Sequence, residues 1–249
     1  MLAVVVLGGI VAASVFVNVG TPASGAASGD RLPDLGMAQP ADVKVDRAPD
    51  GRRLLRYTSV IVNAGAGPFQ VYGKRATTAE PQMSATQRIF DTAGGYRDVA
   101  TTARMVWGGD GHNHWHVMDL EAGDLIRLDN GSKVGTSAKH GFCFNDNTWF
   151  RLSLPGAPQD RVYTNCARDT DLEVTMGLSV GWGDTYGSDL PDQYVDISSV
   201  GPGRYRLLLT ADAGGWFTES NETNNSSWVD LQVKGGNAPP KITGYGSQI

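Results

Sequence analysis

The chain has 249 residues and a net charge of −5, which is enough length for one sizeable core or two small ones. No basic block interrupts it, and this argues against nucleic acid as a partner. So small a charge selects no other partner class.

Residues 1–29 come first. Leu2 to Val19 is uncharged and mostly apolar, and the small, polar run Thr21 to Gly29 follows. This pattern predicts a secretory signal cleaved near Ala26 or, left uncleaved, a membrane anchor; membrane contact is expected only in the second case. Both outcomes place the remainder outside the cell. In that compartment the even pair Cys143 and Cys166 predicts a disulfide, whose closed loop would stabilise the fold by about 3 kcal/mol.

Residues 30–234 read as one domain. Leu54 to Asn63 is dominated by β-branched and aromatic residues and predicts a strand. Ala64 to Pro68 turns the chain, and Phe69 to Tyr72 alternates into a second strand. Gln87 to Asp91 and Tyr96 to Val99, joined across Gly94-Gly95, predict a hairpin. Asp124 to Leu128 turns back at Asp129-Asn130-Gly131. From Ser137 to Val200, Gly, Asp, Asn and Pro are frequent and no period is sustained, as in long loops that carry function. Gly203 to Ala211 and Ser227 to Val233 alternate again. The first puts Tyr205, Leu207, Leu209 and Ala211 on one face, and the second buries Val229, Leu231 and Val233. Residues 235–249 are rich in Gly and Pro and predict a flexible tail. Many short strands without a convincing amphipathic helix predict an all-β fold, an antiparallel β-sandwich with long irregular active-site loops.

The chemistry concentrates in His112-Asn113-His114-Trp115-His116, which holds three of the four histidines. Alternate residues of a strand face one side, whereas the same spacing on a helix scatters them. The pattern predicts a strand carrying a row of imidazoles, ligands suited to copper, zinc, iron or nickel. The outer Cα atoms of a straight strand would lie ~13 Å apart, so sharing one ion requires a bend, which Gly108-Gly109-Asp110-Gly111 would permit. The plainer reading is a solvent-facing histidine stripe.

The segment order resembles the catalytic domain of lysyl oxidases from about Pro33 to Val233. The matching pieces are Leu54-Leu55-Arg56, His112-x-His114-x-His116, Lys139 four residues before Cys143, and Asp184-Thr185-Tyr186-Gly187-x-Asp189. Pro202-Gly203-x-Tyr205 and Glu219-Ser220-x-x-Thr223-Asn224-Asn225 complete the set. Only two cysteines, where animal members have many, make the likeness one to a bacterial branch. The resemblance implies an Ig-like, lysyl oxidase-type sandwich and copper on His112, His114 and His116. It also implies a lysine tyrosylquinone built from Lys139 and Tyr186. The lysine amine would add to the oxidised ring as a nucleophile. The implied reaction takes a primary amine or peptidyl lysine and dioxygen to an aldehyde, ammonia and hydrogen peroxide. Asp184, Asp189 and Asp192 stand as candidate bases. Outside the resemblance, Lys139 reads as a solvated charge and Tyr186 as a packing residue.

The oxygen-rich run Glu219 to Asn225 suits calcium. By the resemblance, Asp34, the carbonyl of Leu35, Glu219, Asn221, Asn224 and Asn225 would form its shell; the plainer reading is a polar turn. Two other functions compete with the copper amine oxidase. One is a three-His zinc hydrolase with an open fourth position, and the other a non-catalytic metal-binding extracellular module. Neither uses Lys139 with Tyr186.

Overall fold

A computed structural model of the protein describes residues 29–108, 113–139, 141–247 and 249. Residues 1–28, which hold nearly all of the expected leader, and His112 and His140 lie outside the described residues. The described residues form strands and no helix. In chain order the strands are β1 (Asp30–Arg31), β2 (Leu35–Met37), β3 (Ala41–Arg47), β4 (Arg53–Asn63), β5 (Phe69–Lys74) and β6 (Gln82–Asp91). Next come β7 (Tyr96–Trp107), β8 (Trp115–Met118), β9 (Glu121–Arg127), β10 (Lys133–Thr136), β11 (Gly141–Phe142) and β12 (Thr148–Trp149). The last are β13 (Glu173–Leu178), β14 (Trp182–Tyr186), β15 (Tyr194–Asp196), β16 (Gly203–Ala211), β17 (Ser226–Val233) and β18 (Lys241–Ser247).

The strands pair antiparallel in three sheets, in agreement with the all-β class read from the sequence. One sheet runs β11-β8-β7-β6-β5-β13 with β1 on β6, and another runs β10-β9-β16-β17-β18. The third is built on β4, whose Val60-Ile61-Val62 run is buried almost throughout. Along one side β4 pairs first with β14 and then with β15, and along the other with β2 and then β3. Alternation explains β16 and β17. Tyr205, Leu207 and Leu209 of one, and Val229, Leu231 and Val233 of the other, are fully buried. Each such side chain stabilises the fold by roughly 1.5–3 kcal/mol.

Two expectations change. Residues 235–249 are not a loose tail: Lys241 to Ser247 pairs with β17 as an edge strand, Trp228 facing Gly246. Backbone hydrogen bonding carries this pairing, and β18's side chains are mostly exposed, so no apolar period marks it. The stretch 137–200 is also less irregular than its composition indicates. It contains β11 to β15, all of six residues or fewer.

Candidate active site

The histidine segment closes the β7–β8 hairpin. Trp107 pairs with Trp115, and the Gly108 N–H donates to the His114 carbonyl at 2.9 Å. His114 stands at the mouth of β8 and His116 within it. Their rings share one face as the alternation requires, with centroids 4.4 Å apart. His116 is fully buried. Trp115 points the other way, into the core, where its Nε1 donates to the Arg168 carbonyl at 2.9 Å and the Arg75 guanidinium lies over its ring. β11 runs beside β8, Gly141 facing Met118. A side chain on Gly141 would put its Cβ 2.8 Å from His116 Cβ, so only glycine fits there.

Lys139 meets the same glycine: its Nζ donates to the Gly141 carbonyl. The plain reading of Lys139 as a solvated charge fails, since it is 3% exposed. Its backbone is pinned on both sides. Ser137 bridges to Val195, Ala138 N–H donates to the Tyr194 carbonyl at 2.9 Å, and Lys139 N–H donates to Ser137 Oγ at 3.1 Å. The Lys139 amine lies 3.8 Å from the centre of the Tyr186 ring. Tyr186 ends β14, opposite Ser59 of β4, and is 6% exposed. Its hydroxyl oxygen accepts the Cys143 N–H at 2.8 Å, and Phe142 packs against its ring at 4.5 Å.

Cys143 and Cys166 are disulfide-bonded, as the pair count predicts. The bond ties the two halves of the site together. Cys143 N–H holds the Tyr186 oxygen, and the Cys166 carbonyl accepts the N–H of Trp115, between the described histidines, at 3.2 Å.

Of the three candidate bases only Asp184 lies inside. It sits two residues before Tyr186 on β14 and is 1% exposed, whereas Asp189 is exposed and Asp192 half-buried. Asn147 Nδ2 donates to its Oδ1 at 2.5 Å; its Oδ2 is buried without a hydrogen-bond donor among the described residues. Burial pushes the Asp184 carboxyl well above its ordinary range, and the Lys139 charge opposes the shift. A second buried carboxyl, Glu121 at the start of β9, is raised to about 7 by burial against the pull of Ser59, Lys139 and Tyr57. Sequence reading missed Glu121 and Asn147.

The oxygen-rich loop packs where the resemblance implies, against the start of the domain. Ser220 N–H donates to the Pro33 carbonyl at 2.8 Å, and Asn224 Nδ2 to the two Asp34 oxygens at 3.0 and 3.2 Å. Leu35 meets Glu219 through its N–H, which donates to Oε2. Asn225 Nδ2 donates to Glu219 Oε1 at 3.1 Å. Asn221 turns to its own backbone, accepting from Thr223 N–H at 3.1 Å and Thr223 Oγ1 at 2.8 Å. A tighter carboxylate group, Asp212, Glu219 and Glu222, has oxygens within 4.8 Å of one another, and sequence reading missed Asp212 and Glu222. Burial raises Glu219 to about 9, and the charges of Glu222 and Asp212 add to the rise. The Asn224 and Asn225 side-chain oxygens are buried without a donor among the described residues.

Fold and site together define an all-β protein in which a buried lysine lies over a buried tyrosine ring, close to paired imidazoles. Residues 86–239 match the family model described as lysyl oxidase. The chain is 34% identical over 125 residues to human lysyl oxidase homolog 1, covering 50% of this chain and 20% of that protein. It is 28% identical over 190 residues to human lysyl oxidase homolog 3, covering 74% of this chain and 19% of the other. Human protein-lysine 6-oxidase is 31% identical over 128 residues, covering 51% of this chain and 28% of that one. The chain belongs to the lysyl oxidase family. It spans less than a third of the length of these curated relatives.

Proposed function

We propose that this chain is an extracellular copper amine oxidase that makes its own quinone from Lys139 and Tyr186. The reaction is R-CH2-NH2 + O2 + H2O → R-CHO + NH3 + H2O2, with a peptidyl lysine or a small primary amine as substrate. The observation that carries this reading is the Lys139 amine placed 3.8 Å from the Tyr186 ring centre. A zinc hydrolase or an adhesion module has no use for a lysine buried over a tyrosine. The donor set fits copper: the adjacent imidazoles of His114 and His116 are nitrogen ligands of the kind copper takes, and His112 is the third of the row. Copper there supplies redox exchange with dioxygen, and the quinone supplies a carbonyl for the amine and an electron sink.

The other residues do the positioning and the proton work. Cys143 N–H fixes the Tyr186 oxygen, and Phe142 and the buried wall keep water from the ring. Asp184, whose Oδ2 is buried without a hydrogen-bond donor among the described residues, would take the substrate's α-proton from its ionised form, which the Lys139 charge favours against burial. The domain at 30–234 is the catalytic unit, and the leader at 1–29 exports it. Glu219 and Asp34, with the Asn224 and Asn225 oxygens, would hold a calcium ion as a second metal, and Asp212 and Glu222 would add the charge that Asn221 lacks.

The test is peptide mass spectrometry of copper-loaded, air-exposed protein. A Lys139–Tyr186 adduct is expected, and it should survive reduction of the disulfide. Lys139→Ala and Tyr186→Phe should bind copper near normally, form no adduct and release no peroxide from primary amines. His114→Ala should bind copper poorly and leave Tyr186 unmodified. Full amine oxidation by Lys139→Ala would sink the quinone assignment.

A further inference from the structure

One surface residue is fastened to β14 at three successive positions. Asn147 belongs to the disulfide loop and is exposed, whereas Asp184 beside it is 1% exposed. The segment from Cys143 to Trp149 runs antiparallel along β14. At one end Cys143 holds the Tyr186 oxygen, and at the other Thr148 and Trp149 pair with Gly183 and Trp182. Asn147 grips the residues between. Its N–H donates to the Gly183 carbonyl at 3.2 Å, its Oδ1 accepts the Thr185 N–H at 2.8 Å, and its Nδ2 donates to Asp184 Oδ1 at 2.5 Å. The Thr148 hydroxyl donates to the same Asn147 Oδ1 at 2.9 Å. These bonds fix which way the amide faces. Turned over, it would set its NH2 against the Thr185 N–H and its oxygen against Asp184 Oδ1, donor on donor and acceptor on acceptor. Nδ2 therefore meets the carboxylate, and Asp184 Oδ2 keeps its lone pairs free of any donor among the described residues.

Two of these bonds brace the backbone of β14. The third goes to a side chain, adds nothing to the pairing of the strands, and bears on the proton step. Alternation puts Asp184 on the face of β14 that carries Tyr186. A base there must be ionised, and a buried carboxylate without partners is costly. A hydrogen bond given to the charged form favours it. Asn147 is the one hydrogen-bond donor to this carboxylate among the described residues. The charges of Lys139 and Arg161 act in the same sense, and that of Asp146 against them. We propose that Asn147 is a positioning residue for the amine oxidation: its amide holds Asp184 ionised and occupies Oδ1, so that the proton is taken at Oδ2. In that step the substrate's α C–H bond breaks. Its proton goes to Oδ2, Asp184-COO− becomes Asp184-COOH, and the electron pair stays on the substrate side of the broken bond.

This role for Asn147 rests on the amine-oxidase reading, and the experiment separates the two. Asn147→Ala, Asn147→Asp and Asp184→Asn are exposed to copper and air beside the unaltered protein. The Lys139–Tyr186 adduct, copper content and melting temperature are recorded. Then kcat and KM are measured at pH ~8 for n-butylamine and for its α,α-dideuterated form. Asn147→Asp still accepts from Thr185 and Thr148, but an exposed carboxylate at that pH has no proton to give Asp184. Both Asn147 variants should form the adduct and bind copper near normally. Their kcat should fall ~100-fold, as when a reacting group is misplaced, with KM little changed. α-Deuteration should slow both at least as much as it slows the unaltered protein, because C–H cleavage limits them. Ordinary kcat in Asn147→Asp overturns the proposal, since the bracing bonds alone would then suffice. So does a weaker deuterium effect, or a missing adduct, in that variant. If Asn147→Ala does not fold, Asn147→Asp decides alone. Ordinary turnover by Asp184→Asn removes the base, and the role of Asn147 with it, while leaving the quinone. An unaltered protein that forms no adduct overturns the quinone reading itself.

Discussion

Glu121 affects stability through its titration. Burial raises its carboxyl from an ordinary 4.5 to about 7. Below pH 4.5 the group is protonated whether the chain is folded or not. Above 4.5 the unfolded chain ionises while the folded one resists until about 7. Its contribution is therefore fully present below 4.5 and lost as pH rises through 7. Melting temperatures of Glu121→Gln and the unaltered protein, compared from pH 4 to 9, should diverge in favour of the variant as pH rises; a constant difference would contradict the assignment. His114 and His116 are legible as candidate ligands from their type and spacing, and Lys139 and Tyr186 only through the resemblance, since alone each reads as a solvated charge or a packing residue. Glu121, Tyr57 and Ser59 are not legible. Each is one polar residue in or beside an apolar run, and only the pairing of β4 with β14 and the crossing of 137–139 beside β9 bring them together. The choice of Asp184 over Asp189 and Asp192 likewise needs burial, which three aspartates close in sequence do not reveal.

Among the elements, the disulfide loop bears most directly on the site. Cys166→Ser should cost about 3 kcal/mol in chemical denaturation, from loop entropy regained by the unfolded chain. It should also slow adduct formation at unchanged copper content, because Cys143 and Cys166 hold the backbone on Tyr186 and Trp115. Stability lost with an unchanged adduct rate would mean that the bond braces the fold without placing the ring. Strands that bury one face, β5, β9, β16 and β17, are readable from alternation. β3 and β18 are not, since both pair through the backbone and leave most side chains in solvent. β14 and β15 are too short to show a period, and β13 lies in a glycine-rich stretch whose apolar residues run together at its end.

On the scale of the whole molecule, the loop at 219–225 fastens the last third of the chain to the start of the domain at Pro33 to Leu35. An ion bound there only in the folded state would stabilise it by mass action, by ~2.7 kcal/mol at a hundredfold excess over the dissociation constant. A calcium-selective chelator should therefore lower the melting temperature of the protein. Glu219→Ala should start lower and no longer respond to the chelator. Indifference of the unaltered protein to the chelator would leave the loop as a polar turn.

The lysine lying over its tyrosine has a topological consequence. The span from Lys139 to Tyr186 encloses the whole span from Cys143 to Cys166. If the proposed bond from amine to ring forms, the chain would carry one closed circuit nested inside another. The inner circuit can be opened by reduction, whereas the outer would have no sulfur to exchange and would stay shut. On the proposed reading, maturation would be a change of connectivity, made once, after which the polypeptide is no longer a simple line.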